Sequence, residues 1–349
     1  MDIQSLIRLA HQADLEGNFR VADKLTERAI REAANRLKGI AHKTPVFTST
    51  SLNEKTGNQI YLKCENFQRG GAFKFRGAYN AISLLSSEQR KKGVITYSSG
   101  NHAQATALSS RIFNIPATIV LPNNVSKIKR AATEGYGATV VTFDPAREKR
   151  ENVSQRLIDQ YGYTLIPPFD HENVVAGQGT IAKELIEEVG ELDFLFVQCS
   201  GGGLLSGSAI SSKHLLPKCQ VIGVQPELAD YTVRAFRTGE IHRMENVQTI
   251  VDGLRGNAVG KFTLPIIRRL VDNIITVSDK DVISTMYFVW TRLKLVVELA
   301  GVTGLTPLFH HTYSIKEKRI GIILSGGNVD VRQVGDMFNS IPIEVVSTI

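Results

Sequence analysis

Apolar positions along this chain follow two periods, and the switch between them outlines its architecture. In the first forty residues Ile3, Leu6, Ile7 and Ala10 recur at helical spacing, Glu16-Gly17-Asn18 interrupts, and Leu25, Ala29, Ile30, Ala33 and Leu37 resume the pattern as far as Gly39. Spacings of three and four place such residues on one helix face, and a glycine just past the last of them suits a C-cap. Two helices are predicted. They carry no evident chemistry and are expected to pack against the body or a partner subunit. From residue 59 the period changes. Short apolar runs at 59–64, 93–97, 117–121, 139–143, 195–199, 221–224, 274–277 and 319–324 predict strands, with helices between them at 102–112, 125–134, 150–161, 176–188 and 280–300. Strands alternating with helices predict an α/β protein with parallel sheets covered on both faces. The punctuation SSGN, LPNN, SGGG and SGGN closes several strands at their C-terminal ends, the edge where open α/β sheets bind ligands.

Composition narrows this little. Apolar residues make up 42% and charged residues 21% of the 349, values ordinary for a globular protein. No apolar run is long enough to span a bilayer, and acidic residues interrupt the N-terminus before a signal-peptide core could form. The cysteines, Cys64, Cys199 and Cys219, fit neither a disulfide framework nor a CxxC metal site, so a reducing cytoplasm is expected. The net charge of +7 raises nucleic-acid binding, but KIKR (127–130) and REKR (147–150) are short and read as solvated helix faces. A mild positive field also suits anionic small molecules. No nucleic-acid or membrane partner is expected.

Four loops carry the candidate chemistry. In Gly70-Gly71-Ala72-Phe73-Lys74-Phe75-Arg76-Gly77-Ala78 a lysine sits among glycines and aromatics. This is either a surface turn or an apolar pocket that lowers the amine's pKa until it can attack a carbonyl. In Ser98-Ser99-Gly100-Asn101-His102 small residues open a helix, either as a plain N-cap or as a cradle of N–H groups for a carboxylate. Ser200-Gly201-Gly202-Gly203-Leu204 follows a strand and precedes a helix, which suits a phosphate; no Lys-Ser/Thr follows, so it is not a Walker loop. Leu324-Ser325-Gly326-Gly327-Asn328 alone reads as a type II turn.

In order and spacing, the four loops resemble the fold type II pyridoxal-phosphate (PLP) enzymes of the serine/threonine dehydratase and serine racemase branch, over nearly all of residues 35–345. The stretches CENFQRGGAFKFRGAYNA and VDGLRGN…FTLPIIRRLVDNIITVSD look like those of threo-3-hydroxyaspartate dehydratases. The resemblance implies a tryptophan synthase β-like fold: two parallel-sheet α/β domains with PLP in the cleft. A helical extension (1–30) would precede a large PLP-binding domain (31–91 and 168–349), with a small domain (92–167) inserted. No regulatory segment is expected, and a homodimer is implied. Lys74 would hold PLP as a Schiff base, with Phe73 beside the ring, Asn101 on the ring oxygen and Ser325 on the pyridine nitrogen. Ser200, Gly201, Gly202, Gly203 and Leu204 would bind the phosphate. Ser98, Ser99, Gly100 and His102 would receive the substrate carboxylate, and Gly253 would line the cavity near the amino acid.

A hydroxyl at the pyridine nitrogen cannot stabilise a pyridinium as an aspartate would, so the ring is a weaker electron sink. That favours β-elimination, in which a departing hydroxyl drains charge as it forms, over transamination. Lys74 would remove the Cα proton, and Lys74 or the cofactor phosphate would protonate the leaving hydroxyl. The expected activity is dehydration of a β-hydroxy amino acid (threo-3-hydroxyaspartate, threonine or serine) to a keto acid and ammonia. The alternatives are a racemase, a β-replacement enzyme or an impaired cofactor-binding homologue. In racemase relatives a serine at Ser99 exchanges a proton on the other face of Cα. Arg255 is a candidate for a second substrate carboxylate, or an ordinary surface arginine.

Several positions depart from the family pattern. Ala72 replaces a serine beside the lysine, Ser200 replaces a glycine, and Leu299 follows Glu298 where proline is usual; Glu298 is still expected to face the cofactor. Where many relatives carry carboxylates for a divalent metal, this chain has Gln225 and Tyr231, with Glu227 and Asp230 out of register. A hard cation needs charged oxygen ligands, so no metal is expected there.

Overall fold

The structure is a computed structural model that describes residues 9, 12–13, 19–125 and 127–341. The first expected helix, with Ile3, Leu6, Ile7 and Ala10, and the break at residues 16–18 lie outside the described residues. The second is present as Phe19–Leu37 and ends at Gly39, whose φ is 75°. Ala29, Ile30 and Ala33 pack on Val175, Ala176 and Ile210 of the body. Ile30 sits where a Cβ on Gly179 would come within 2.5 Å of it, so a side chain there would push the helix off.

Ten strands follow among the described residues: β1 Val46–Phe47, β2 Gln59–Cys64, β3 Val94–Tyr97, β4 Ala117–Pro122, β5 Thr139–Phe143, β6 Thr164–Leu165, β7 Phe194–Gln198, β8 Gln220–Pro226, β9 Asn273–Val277 and β10 Arg319–Leu324. One sheet has the order β1-β2-β10-β7-β8-β9 and the other β5-β4-β3-β6. All pairs are parallel except β1 with β2. The last strand enters the first sheet between β2 and β7. It is buried at every position from Ile320 to Leu324, as expected of a strand covered on both faces. This insertion sets the residues after β10 beside those after β2.

The structure corrects the sequence reading in three places. The predicted helix 280–300 is broken. Asp279–Thr291 ends at Arg292, Lys294 takes a φ of 59°, and a short helix Leu299–Val302 restarts after Glu298. Buried Leu295 and Val297 keep the apolar pattern going through non-helical chain, and Trp290 Nε1 donates to Val297 O at 2.8 Å, closing the loop. The segment around Lys74, treated as a loop, runs into the helix Lys74–Ser83. Strands β1 and β6, two residues each, are too short to leave a pattern.

Candidate active site

After β2 the chain makes two 3₁₀ turns, Glu65–Phe67 and Arg69–Gly71, with φ of 68° at Gly70 and 70° at Gly71. A Cβ on Gly71 would lie 2.4 Å from Asn328 Oδ1. Ala72 then bridges Gly326, Phe73 N donates to Ser325 O at 3.0 Å, and Lys74 opens its helix. Lys74 Nζ donates to Pro168 O at 2.6 Å and lies 5.1 Å from the Phe73 ring centre. Burial penalises its charged form and lowers its pKa to about 8.

Beneath it, Arg76 is fully buried. It bonds both Glu65 oxygens at 2.8 Å and both Glu184 oxygens at 2.6 and 2.8 Å, and Lys63 joins Glu184 at 2.9 Å. Removing one member of such a cluster costs about 3–5 kcal/mol, so it fixes the first turn that carries Lys74.

β3 leads into Ser98, Ser99 and Gly100, and the helix Asn101–Ile112 starts with no side-chain cap. Its first N–H groups therefore have no side chain upon them. A Cβ on Gly100 would meet nothing within 4 Å. Asn101 Nδ2 donates to Glu298 Oε1 at 2.6 Å, while Asn328 Nδ2 donates to Asn101 Oδ1 at 2.9 Å and to Gly70 O at 2.6 Å. The second, first and fourth loops are thus tied together. His102 is buried and its Nε2 donates to Ile166 O at 2.9 Å. Burial first, and the charge of Lys74 second, lower its pKa to about 3. Its ring is neutral and turned inward, so only its backbone N–H can serve a substrate.

The third loop is held more tightly. Gly202 has φ 96° and caps the thirteen-residue helix Gly203–Leu215, again without a side-chain cap. A Cβ on Gly201 would be 2.4 Å from the Phe169 ring, and one on Gly202 2.6 Å from Ile267. Ser200 Oγ lies 2.6 Å from Tyr231 OH. Ser200 O accepts from Thr232 Oγ1 at 2.7 Å, and Gly201 O from Thr263 Oγ1 at 2.7 Å and Gly260 N at 3.1 Å. Leu204 is buried behind the loop. Pro168, which holds the Lys74 amine, directly precedes Phe169, so this loop adjoins the lysine.

Ser325 is 3% exposed, and its hydroxyl donates only a long 3.4 Å bond to Ala300 O. Gly253 lies under Ala300, 2.7 Å from where its own Cβ would stand to the Ala300 methyl. Arg255 is exposed, its Nε on Thr249 O at 2.9 Å. Among the described residues, no hydrogen bond or ion pair joins it to the four loops. Another arginine is better placed. A cavity of about 300 Å³ opens beside Ser98 and Ser99 and is lined also by Asn124, Phe143 and Arg150. The Arg150 guanidinium lies 5.2 Å from the Tyr97 ring centre, with Nε on Glu151 at 3.0 Å. A second cavity of about 340 Å³, at the other end of the helix Asn101–Ile112, is remote from these loops.

These donors fit PLP: a desolvated amine for its aldehyde, an uncapped helix N-terminus for its phosphate and a buried, weakly bonded hydroxyl for its ring nitrogen. The sequence profile of pyridoxal-phosphate dependent enzymes matches residues 37–326. The chain belongs to this family. An L-threo-3-hydroxyaspartate ammonia-lyase of Saccharomyces cerevisiae is 49% identical over 89% of this chain and 95% of the relative. A serine racemase of Schizosaccharomyces pombe is 48% identical over 87% of this chain and 94% of its own length. The solved structure of maize serine racemase superimposes with a TM-score of 0.85 at 39% identity, covering 89% and 96% of the two chains. PLP is the cofactor, and the fold is that of the fold type II PLP enzymes.

In this PLP-dependent enzyme the loops bearing Lys74, Asn101 and Ser325 are joined by the bonds of Phe73 N to Ser325 O and of Asn328 to Gly70 and Asn101, and Pro168 and Phe169 link the Lys74 amine to the loop at Ser200. The sequence names Asn328 only within its loop and Tyr231 only as a replaced carboxylate, gives no role to Pro168, and reads Arg150 as part of a solvated helix face. Glu298 accepts from Asn101 Nδ2 and is the N-cap of Leu299–Val302. The residues at the expected metal position do not fit a hard cation. Gln225 Oε1 accepts from Thr232 N and Val233 N at 3.1 and 3.2 Å, Asp230 pairs with Arg234 at 2.8 Å, and Tyr231 is buried.

Proposed function

We propose that this PLP-dependent enzyme is an ammonia-lyase that dehydrates a β-hydroxy amino acid, L-threo-3-hydroxyaspartate first and serine or threonine next. The observation that carries this reading is the Lys74 amine, desolvated by the site and set where the loop bearing the Ser325 hydroxyl meets those bearing Asn101. When bound, PLP supplies an electron sink for charge at the amino acid's Cα. The chain's residues do the rest. The N–H groups of Asn101 and His102, at a helix start that no side chain caps, receive the α-carboxylate. Lys74 takes the proton from Cα, its pKa lowered by burial to about 8, toward the neutral range that suits a general base. Ser325 leaves the ring nitrogen without a carboxylate partner, which favours loss of the β-hydroxyl over a lasting carbanion. The enamine released becomes an imine and hydrolyses to a keto acid and ammonia.

Arg150 supports the dicarboxylate substrate. It is the guanidinium in the cavity at Ser98 and Ser99, and a bidentate arginine–carboxylate pair is among the stronger polar contacts. Residues 92–167 are read as the small domain that closes over the substrate, residues 31–91 and 168–349 as the large one. A homodimer in a reducing cytoplasm belongs to the same proposal; the three cysteines are free and buried. Purified protein given L-threo-3-hydroxyaspartate should release ammonia and oxaloacetate faster than it deaminates serine or threonine. No keto acid from any of the three would sink the reading.

A second reading, racemisation beside elimination, rests on Ser99, which lines the same cavity. Ser99→Ala should abolish D-amino-acid formation and leave elimination within about threefold; racemisation that survives the change removes Ser99 from the role.

A further inference from the structure

We propose that Tyr231 is a positioning residue for the phosphate of PLP, acting through Ser200 as a neutral hydroxyl brace that needs no metal. This rests on the PLP reading of the site. Ser200 opens the glycine turn before the helix Gly203–Leu215. Its hydroxyl meets the Tyr231 hydroxyl at 2.6 Å, and Tyr231 is 0% exposed. Burial pushes the phenol's pKa up, so it stays protonated. Room for the pair comes from Gly256, whose Cβ would fall 2.5 Å from the tyrosine oxygen and 2.6 Å from the serine oxygen. Any other residue there would part them.

The brace has a second arm. Thr232 Oγ1 donates to Ser200 O at 2.7 Å and accepts from Gln225 Nε2 at 3.4 Å, while Gln225 Oε1 holds the N–H groups of Thr232 and Val233. The amide of Gln225 fixes the start of the helix Tyr231–Thr238, and that helix fixes Ser200 at both its hydroxyl and its carbonyl. The Tyr231 hydrogen has Ser200 Oγ at 2.6 Å and Leu254 O at 3.4 Å within reach; given to the nearer serine, it leaves the serine hydrogen free to point at an anion on the adjoining helix N-terminus. Gln225 and Tyr231 thus hold this turn with uncharged hydrogen bonds alone. They also compensate for placing a serine where glycine is usual.

The test uses the holoenzyme. PLP release into a scavenging apo-enzyme is followed by loss of the cofactor's visible absorbance, and the bound phosphate by its ³¹P resonance. Tyr231→Phe should speed release about 5–10-fold, the loss of one neutral hydrogen bond, and shift the resonance. Ser200→Gly should do the same, and the double variant should be no worse than the worse single. Chelator, then Mg²⁺ or Ca²⁺, should change neither readout in the parent protein. An unmoved resonance with unchanged release in Tyr231→Phe, fully additive effects, or a cation that slows release severalfold would each overturn the brace. Should Tyr231→Phe fail to fold, Ser200→Ala carries the same expectation and the same refutation. A purified protein without visible absorbance or bound phosphorus would instead refute the PLP reading itself.

Discussion

The turn after β7 and the turn after β3 start from one plan and end in different states. Each leaves a parallel strand through small residues and opens a helix that no side chain caps. The first is clamped. Both Ser200 and Gly201 spend their carbonyls on side-chain hydroxyls, and Phe169 and Ile267 press where Cβ atoms would be. The second is loose. Ser98, Ser99 and Gly100 are half-buried, with a cavity beside them and nothing near the Gly100 Cα hydrogens. A ligand held throughout the catalytic cycle gains from a preorganised cradle, whereas one that enters and leaves each turn needs a cradle that can open. The difference supports the proposed roles, the clamped turn for the cofactor phosphate and the loose one for the substrate carboxylate.

Lys74→Ala removes what both turns serve. It should abolish the cofactor's visible absorbance and reduce turnover by more than about 10³-fold, the loss of both a covalent anchor and a general base. Retained colour and turnover would place the reacting amine elsewhere.

The glycines test the comparison directly. Gly201→Ala puts a methyl 2.4 Å from the Phe169 ring, an overpacking that costs about 1–3 kcal/mol; PLP affinity should fall at least about tenfold. Gly100→Ala puts the same methyl in open space. It should leave PLP affinity unchanged and raise KM severalfold by narrowing the approach of the substrate. Equal effects on PLP affinity would erase the distinction between the turns.

Arg150→Ala should lower kcat/KM for L-threo-3-hydroxyaspartate about 10–100-fold, as expected for a charge-assisted pair of about 1.5–3 kcal/mol, and change serine turnover little. Arg255→Ala should be nearly neutral for both. The reverse result would return the role to Arg255, the arginine that motif position singles out.

What could be read in the sequence follows how local each signal is. Strand cores such as β2, β5 and β10 are apolar runs bounded by turn residues, and their limits agree with the expected 59–64, 139–143 and 319–324. Lys74, Asn101 and Ser325 were legible because each sits in a short motif whose neighbours define its role. Arg150 was not: it stands in an ordinary basic run, and only the packing of its helix against β3 turns it to the cavity. Nor was Tyr231, because its partner Ser200 is thirty-one residues away and the meeting depends on β7 lying beside β8. The broken helix after Thr291 misled for the opposite reason, a helical pattern continuing where tertiary packing, not periodicity, buries Leu295 and Val297.

The gentlest test of the comparison is pH. The cofactor side contains a group that titrates near the working range, Lys74, whose ammonium burial destabilises so that its pKa falls from 10.5 to about 8. On the substrate side the histidine is silent: His102 is held at about 3 and stays neutral. At pH 7 about one Lys74 amine in ten is neutral, and at pH 9 about nine in ten, against fewer than about one in a thousand at pH 7 for an ordinary lysine. Capture of added PLP by cofactor-free protein, followed by visible absorbance, should therefore quicken about tenfold per pH unit below 8 and level off above about 9. The sign for stability agrees. Between about 8 and 10.5 the unfolded chain binds the proton that folded Lys74 has lost, so the penalty that burying this ammonium places on the folded state is relieved as pH rises through that window. A capture profile with its step near 6.5 would put a histidine in control and contradict the inward, neutral His102; a step near 10.5 would mean that Lys74 is solvated and that the cofactor side is as open as the substrate side.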